Sequence, residues 1–215
     1  MIFNKDMLTL YAITDRRYNG TLSLYEQVEE ALKGGVTILQ LREKGLDEDT
    51  FTQEAIQIKV LCNRYGVPLI INDNLNVALK SGADGIHVGL SDMPVDEIRA
   101  RTGADFIIGA TAKTIAQAQT AQRLGADYLG VGAVFPSSTK SDAVRITKEQ
   151  LNEISCSVSI PIVAIGGITA ENIHELAGGN ISGIAVVSSL FGSNDIKGAA
   201  HRLKKSALNV AASVV

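Results

Sequence analysis

The triplet Gly-Ala-Asp recurs at 82–84, 103–105 and 125–127, each time between a helix-like stretch and an apolar one, and Gly34-Gly35-Val36 holds the same place earlier. A glycine just past a helix end takes the left-handed conformation at little cost, and the chain then turns straight into a strand. Short strand–turn–helix repeats of this kind force parallel strands joined by right-handed crossovers. The aspartates of these junctions then lie at the N-terminal ends of strands, where a structural role is expected.

Strands are predicted over 8–13, 38–41, 69–71, 85–88, 106–110, 128–134, 162–165 and 184–187. Helices are predicted over 24–33, 47–65, 75–80, 94–101, 115–124, 148–154, 171–176 and 196–212, with Pro94 suited to a first turn and Asp92 a candidate cap. Eight such units in 215 residues, with no linker or break in composition, point to one small (β/α)8 TIM-barrel domain over 1–215. An open doubly wound sheet is the rival, but the G-x-G-x-x-G turn after the first strand is missing.

Hydrophobic residues make up 46% and charged residues 20%, the balance of a folded chain. A net charge of −3 argues against a general nucleic-acid or membrane-surface role, so an anionic ligand needs a local cluster of cations. Cys62 and Cys156 match no metal spacing and no disulfide framework. No apolar run is long enough to span a bilayer, and the first seven residues lack a signal-peptide core. A cytoplasmic protein is expected, and a homo-oligomer is left open.

In such a barrel the chemistry belongs at the C-terminal strand ends. The second strand ends Gln40-Leu41-Arg42-Glu43-Lys44; alternation puts Gln40, Arg42 and Lys44 toward the mouth and Leu39 and Leu41 toward the helices. Cations there call for an anion, unless Arg42 and Lys44 are a solvated end paired with Glu43. The third strand ends Asn72-Asp73-Asn74, and the fourth runs through His87 to Asp92. Neighbouring strand ends lie roughly 5 Å apart, so Asp73 and Asp92 can face one ion, with Mg²⁺ taking its other ligands from substrate phosphate and water. Both also fit as helix N-caps, and the two readings stand side by side. His87 reads as a barrel-interior residue, and His174 and His201 as solvent-facing.

The fifth strand ends with Thr111 and Lys113. The sixth, 128–134, places Gly130 and Gly132 on one face, leaving room for something other than a side chain. It gives way to Ser137-Ser138-Thr139-Lys140, either an anion-binding loop or a solvated turn. After the seventh and eighth strands, Gly166-Gly167 and Val187-Ser188 sit where this architecture usually binds phosphate.

The segments QLREK, IINDN, GIHVGLSD, GAT, GADYLGVGAVFPSSTK, AIGGI and AVVSS, in this order over nearly the whole chain, resemble the thiamine-phosphate synthase family. The resemblance implies an enzyme that joins 4-amino-2-methyl-5-(diphosphooxymethyl)pyrimidine to a thiazole phosphate, or its carboxylated tautomer, and releases diphosphate. It implies that Gln40, Leu41, Arg42, Glu43, Lys44 and Asn72 hold the pyrimidine diphosphate, with Thr111 and Lys140 on the same substrate. Asp73 and Asp92 would bind Mg²⁺. Ser137, Ser138, Thr139, Gly167, Val187 and Ser188 would receive the thiazole phosphate. Leu90 stands where glutamine is frequent, Thr111 where serine is usual and Ser137 where threonine is usual; only Leu90 loses a polar group.

No side chain at the expected mouth is placed as a general base, and a thiazole nitrogen with its own lone pair needs none. The expected chemistry is a dissociative substitution assisted by Arg42, Lys44 and Lys140 as catalytic groups. A thiazole tautomerase would need no diphosphate site, and a non-catalytic precursor-binding protein would not need both carboxylates and the cations. A Schiff-base aldolase would need a strand lysine that is absent here.

Overall fold

The computed structural model describes residues 2–18, 20–136 and 145–211. Eight parallel strands close on themselves in sequence order, β8 pairing with β1. They are β1 (Leu10–Ile13), β2 (Ile38–Leu41), β3 (Leu69–Asn72), β4 (Gly85–Val88), β5 (Ile107–Ala112), β6 (Tyr128–Gly132), β7 (Ile162–Ile165) and β8 (Gly183–Val186). The outer helices are α1 (Leu24–Lys33), α2 (Glu48–Tyr65), α3 (Leu75–Ser81), α4 (Val95–Thr102), α5 (Ile115–Arg123), α6 (Lys148–Cys156), a one-turn α7 (Ser188–Phe191) and α8 (Ile196–Ala211).

Strand alternation sorts the core into two layers. Tyr11, Ile13, Ile38, Ile70, Ile107, Tyr128, Val163 and Ala185 fill the barrel interior. Their neighbours, such as Ala12, Leu39, Leu41, Ile71, Ile86, Leu129 and Val131, pack outward against the helices. The helices supply the matching stripe: α1 buries Leu24, Val28, Ala31 and Leu32, spaced to share one face. Local signals set the ends. Ser23 and Glu26 form a capping box on α1, Thr147 and Gln150 another on α6, and Asp47, Asn74 and Thr114 cap α2, α3 and α5.

The glycine junctions behave as read: Gly35, Gly82, Gly103 and Gly125 all have positive φ. Two junction aspartates tie the bottom of the barrel. Asp84 accepts from Leu69 N and from Lys59, and Asp127 accepts from Ile108 N and from Arg99. Asp105 is exposed instead. Several expectations shift, the fifth strand among them, which runs on to Ala112. The first strand starts at Leu10, after a 3-10 turn over Lys5–Leu8. The helix expected over 171–176 is only a 3-10 turn, Ile173–Leu176. The sixth strand ends at Gly132, where Val134 and Phe135 leave the ladder to bond Ile165 O and Gly166 O.

Candidate active site

A cavity of about 450 Å³ opens at the C-terminal mouth of the barrel. Its ionisable lining falls on one side: Arg42 and Lys44 after β2, Asp73 after β3, Asp92 after β4 and Lys113 after β5. On the other side lie Gly166 and Gly167 after β7 and Val187, Ser188 and Ser189 after β8. A wider surface groove of about 810 Å³ between α1 and the start of α8 is lined by Glu26, Glu29, Glu30 and Asp195 against a single cation, Arg17, a balance of the wrong sign for an anion.

The β2 end is held from β1. Gln40 O accepts from Thr14 N at 3.0 Å, and Arg42 N donates to Thr14 Oγ1 at 2.9 Å. The Arg42 guanidinium lies 3.7 Å from Asp15, which also pairs with Arg17 at 2.6 Å. The Arg17 hydrogen bond, opposed by burial, holds the Asp15 carboxyl below its ordinary value, so Asp15 stands as a fixed charge behind Arg42.

Two members of the β2 end turn away. The Leu41 side chain is fully buried between sheet and helices. Glu43 faces outward onto Arg16, which also holds Glu54 at 2.6 Å. Strand alternation sends both away from the cavity, so neither side chain reaches a substrate there. Arg42 and Lys44 are accordingly paired with Asp15 and Asp73, not with Glu43. Burial first, against the pull of Arg16 and with the repulsion of Glu54, raises the Glu43 carboxyl.

Asp73 and Asp92 face one another. Asp73 takes a left-handed backbone, φ 62°, a conformation that short polar side chains tolerate better than most. Its carboxylate accepts from Asn72 Nδ2 at 2.7 Å and from Lys44 Nζ at 2.6 Å. Burial raises its pKa most; Lys44 opposes this, and the neighbouring Asp92 adds to it. Asp92 accepts from Gly89 N at 2.7 Å. Neither is a helix cap. Asn74 caps α3 through Val77 N, and Pro94 occupies the cap position of α4 with no side-chain hydrogen bond.

On the far side, Gly166 (φ 105°) and Gly167 (φ 64°) make a turn that only glycine enters freely. A Cβ on Gly167 would meet Pro136 O at 2.2 Å, so this turn packs on the segment leaving β6. Asn172 clamps it, donating to Gly167 O at 2.8 Å and accepting from Thr169 N at 2.8 Å. Ser188 opens α7, and the neighbouring Ser189 Oγ is buried with no hydrogen-bond partner among the described residues. Ser137, Ser138, Thr139 and Lys140 lie outside the described residues.

Sequence reasoning missed Ser189, Asp15 and the interior tyrosines. It read His87 as barrel interior, and the ring does sit there, yet it also lines the cavity. A Cβ on Gly130 would come within 3.1 Å of that ring, and one on Gly132 within 3.0 Å of Ile165 side-chain atoms, closer still to its backbone. The room left by these glycines is thus partly taken by the protein itself. His174 and His201 are exposed.

No group of three or more metal-ligating side chains occurs among the described residues. A facing carboxylate pair still fits a cation that draws its remaining ligands from phosphate and water, and Asp92 is among the causes, after burial, that raise the Asp73 carboxyl.

Comparison with known proteins supplies a family. The family described as thiamine monophosphate synthase matches residues 10–190. The thiamine-phosphate synthase of Ruminiclostridium cellulolyticum is 48% identical over 203 residues, 94% of this chain and 97% of that protein. That of Clostridium tetani is 47% identical over 201 residues, 93% and 96% of the two chains. Among solved structures, thiamine phosphate pyrophosphorylase from Pyrococcus furiosus superposes with a TM-score of 0.89 at 37% identity, covering 96% of this chain and 98% of that one.

Proposed function

The chain belongs to the thiamine-phosphate synthase family, and from that premise we infer that its barrel mouth joins a pyrimidine diphosphate to a thiazole phosphate. The observation that carries the reading is the division of one cavity into a cationic, carboxylate-bearing side and a glycine–serine side. Gln40, Arg42, Lys44, Asn72 and Thr111 hold the pyrimidine diphosphate. Gly167, Val187 and Ser188 take the thiazole phosphate, together with Ser137, Ser138 and Thr139. The side chains of Leu41 and Glu43 drop out of this assignment, since both point away from the cavity.

Asp73 and Asp92 would hold Mg²⁺, which when bound neutralises charge on the diphosphate. The protein's own groups do the rest. Arg42 and Lys44, joined by Lys140, stabilise charge as it gathers on the departing diphosphate, and Asp15 keeps the Arg42 guanidinium in place. Cleavage of the C–O bond leaves a pyrimidinylmethyl cation, delocalised onto the exocyclic amine, and the thiazole nitrogen lone pair then forms the new C–N bond. The thiazole phosphate site holds that nitrogen in line. Two unbridged cysteines, Cys62 and Cys156, suit a cytoplasmic setting for this reaction.

Purified protein with both substrates and Mg²⁺ should release diphosphate and thiamine phosphate in equal amounts. Conversion of the thiazole tautomer without the pyrimidine would instead favour a tautomerase. Saturable binding of both compounds without turnover would favour a precursor-binding protein.

A further inference from the structure

Beneath the cavity, Gln40 and Thr111 of the pyrimidine side are joined through Tyr11, Tyr128 and His87, barrel-interior side chains that neither anion site uses. Gln40 Nε2 donates to the Tyr11 hydroxyl at 2.7 Å, and the Tyr11 and Tyr128 hydroxyls are 2.7 Å apart. Tyr128 OH lies 3.2 Å from His87 Nδ1, and His87 Nε2 lies 3.2 Å from Thr111 Oγ1. Residues of β2, β1, β6, β4 and β5 thus form one continuous chain whose two ends, Gln40 and Thr111, both line the cavity. Missing side chains make room for it. A Cβ on Gly109 would fall 2.1 Å from the Tyr128 ring and 2.6 Å from His87 Nδ1.

Both tyrosines are buried, and burial raises both phenol pKa values, so each hydroxyl keeps its single hydrogen. That single hydrogen gives the chain a direction. With Gln40 donating to Tyr11, the Tyr11 hydrogen must go to Tyr128, since any other direction strands a buried O–H without an acceptor. Tyr128 then donates to His87 Nδ1. A neutral ring that accepts at Nδ1 carries its hydrogen on Nε2 and donates it to Thr111 Oγ1. The Thr111 hydrogen is left for the cavity. At the other end Gln40, its nitrogen committed to Tyr11, turns its carbonyl oxygen to the cavity.

We propose that this interior chain locks the Gln40 amide and so makes the site select a 4-aminopyrimidine over its 4-oxo counterpart. The proposal rests on the pyrimidine diphosphate reading above. An exocyclic amine donates to the Gln40 oxygen, and a ring nitrogen accepts from Thr111. A 4-oxo group sets one carbonyl against another, and relieving that clash means reversing every link down to Thr111. Tyr11, Tyr128 and His87 act here as positioning residues, through Gln40 and Thr111.

The test measures dissociation constants of the 4-amino and 4-oxo forms of 2-methylpyrimidin-5-ylmethyl diphosphate, with inorganic diphosphate as a control for the anion side. Wild type should prefer the amino form by about tenfold or more. Tyr11→Phe frees the Gln40 amide, and the preference should shrink by about tenfold while diphosphate affinity holds. Tyr128→Phe is the sharper variant, and it serves alone if Tyr11→Phe does not fold. It leaves Gln40 and Tyr11 in place but removes the acceptor for the Tyr11 hydrogen, which then turns to Gln40 and reverses it. A merely structural role would weaken both ligands alike. An unchanged ratio in folded Tyr128→Phe, or a wild-type ratio near one, overturns the proposal. Wild type that makes no thiamine phosphate overturns the functional reading instead.

Discussion

At the scale of single residues, the facing carboxylates are where function and stability part. Asp92→Asn keeps an acceptor for Gly89 N while removing charge from the pair. Turnover should fall by roughly 10²-fold or more, as when a preorganised charge is lost. The melting temperature should stay nearly level; a large drop with activity retained would make Asp92 a structural residue. Asp73 has the opposite balance. Its pKa is raised by burial first, so its contribution to stability is whole below the ordinary carboxylate value and is lost as pH climbs through the raised one. At neutral pH without Mg²⁺, Asp73→Asn should therefore melt higher than the wild type. Asparagine also accepts a positive φ. The gain should vanish below the ordinary carboxylate range, where Asp73 is protonated anyway. A lower melting temperature at neutral pH would mean that the Lys44 pair outweighs burial.

At the scale of elements, the mouth is built from two sets of strand ends that share no side chain. β2 is braced by the loop after β1, through Thr14 and Asp15 on Arg42 and through Arg16 on Glu43 and Glu54. The turn after β7 is braced from Asn172 and from the segment leaving β6. Substitutions on the two sides should accordingly act on different substrates. Arg42→Ala removes a charge-assisted contact of about 1.5–3 kcal/mol, so pyrimidine diphosphate affinity should fall at least about tenfold. Ser188→Ala should weaken the thiazole phosphate and leave the diphosphate alone. Titration of each ligand into each variant checks this, and the double variant should be additive. Equal losses for both ligands in both variants would dissolve the two-sided map.

At the scale of the whole molecule, closing the barrel gathers polar groups from five consecutive strands, β1 to β5, on one cavity, where the proposed chemistry would take place. If diphosphate departs before the thiazole bonds, ring substituents that withdraw electrons should slow single-turnover rates steeply. Substrate affinity should stay nearly level across the same series. A flat rate series, with chemistry shown to be rate-limiting, would mean direct displacement.

The barrel itself was legible in the sequence because its signals are local. Period-two alternation marked inward Gln40 against outward Leu39 and Leu41, and the Gly-Ala-Asp junctions marked where helices end. That Gln40, Arg42, Lys44, Asn72, Asp73 and Thr111 line the mouth was legible for the same reason, since a strand end fixes which way its side chains leave. What local pattern could not settle were the partners. Asp73 and Asp92 fit equally well as caps until the cap positions fell one and two residues later, at Asn74 and Pro94. Glu43 stood as an alternative counter-charge for Arg42 and Lys44 until the loop after β1 brought Arg16 and Asp15 beside β2. The pairing of Tyr11 with Tyr128, 117 residues apart, exists only because the sheet closes. Alternation and glycine conformations are properties of a few neighbouring residues, and the sequence holds them outright. Which charge neutralises which, and which hydroxyl meets which, depends on distances that only closure of the eight strands sets.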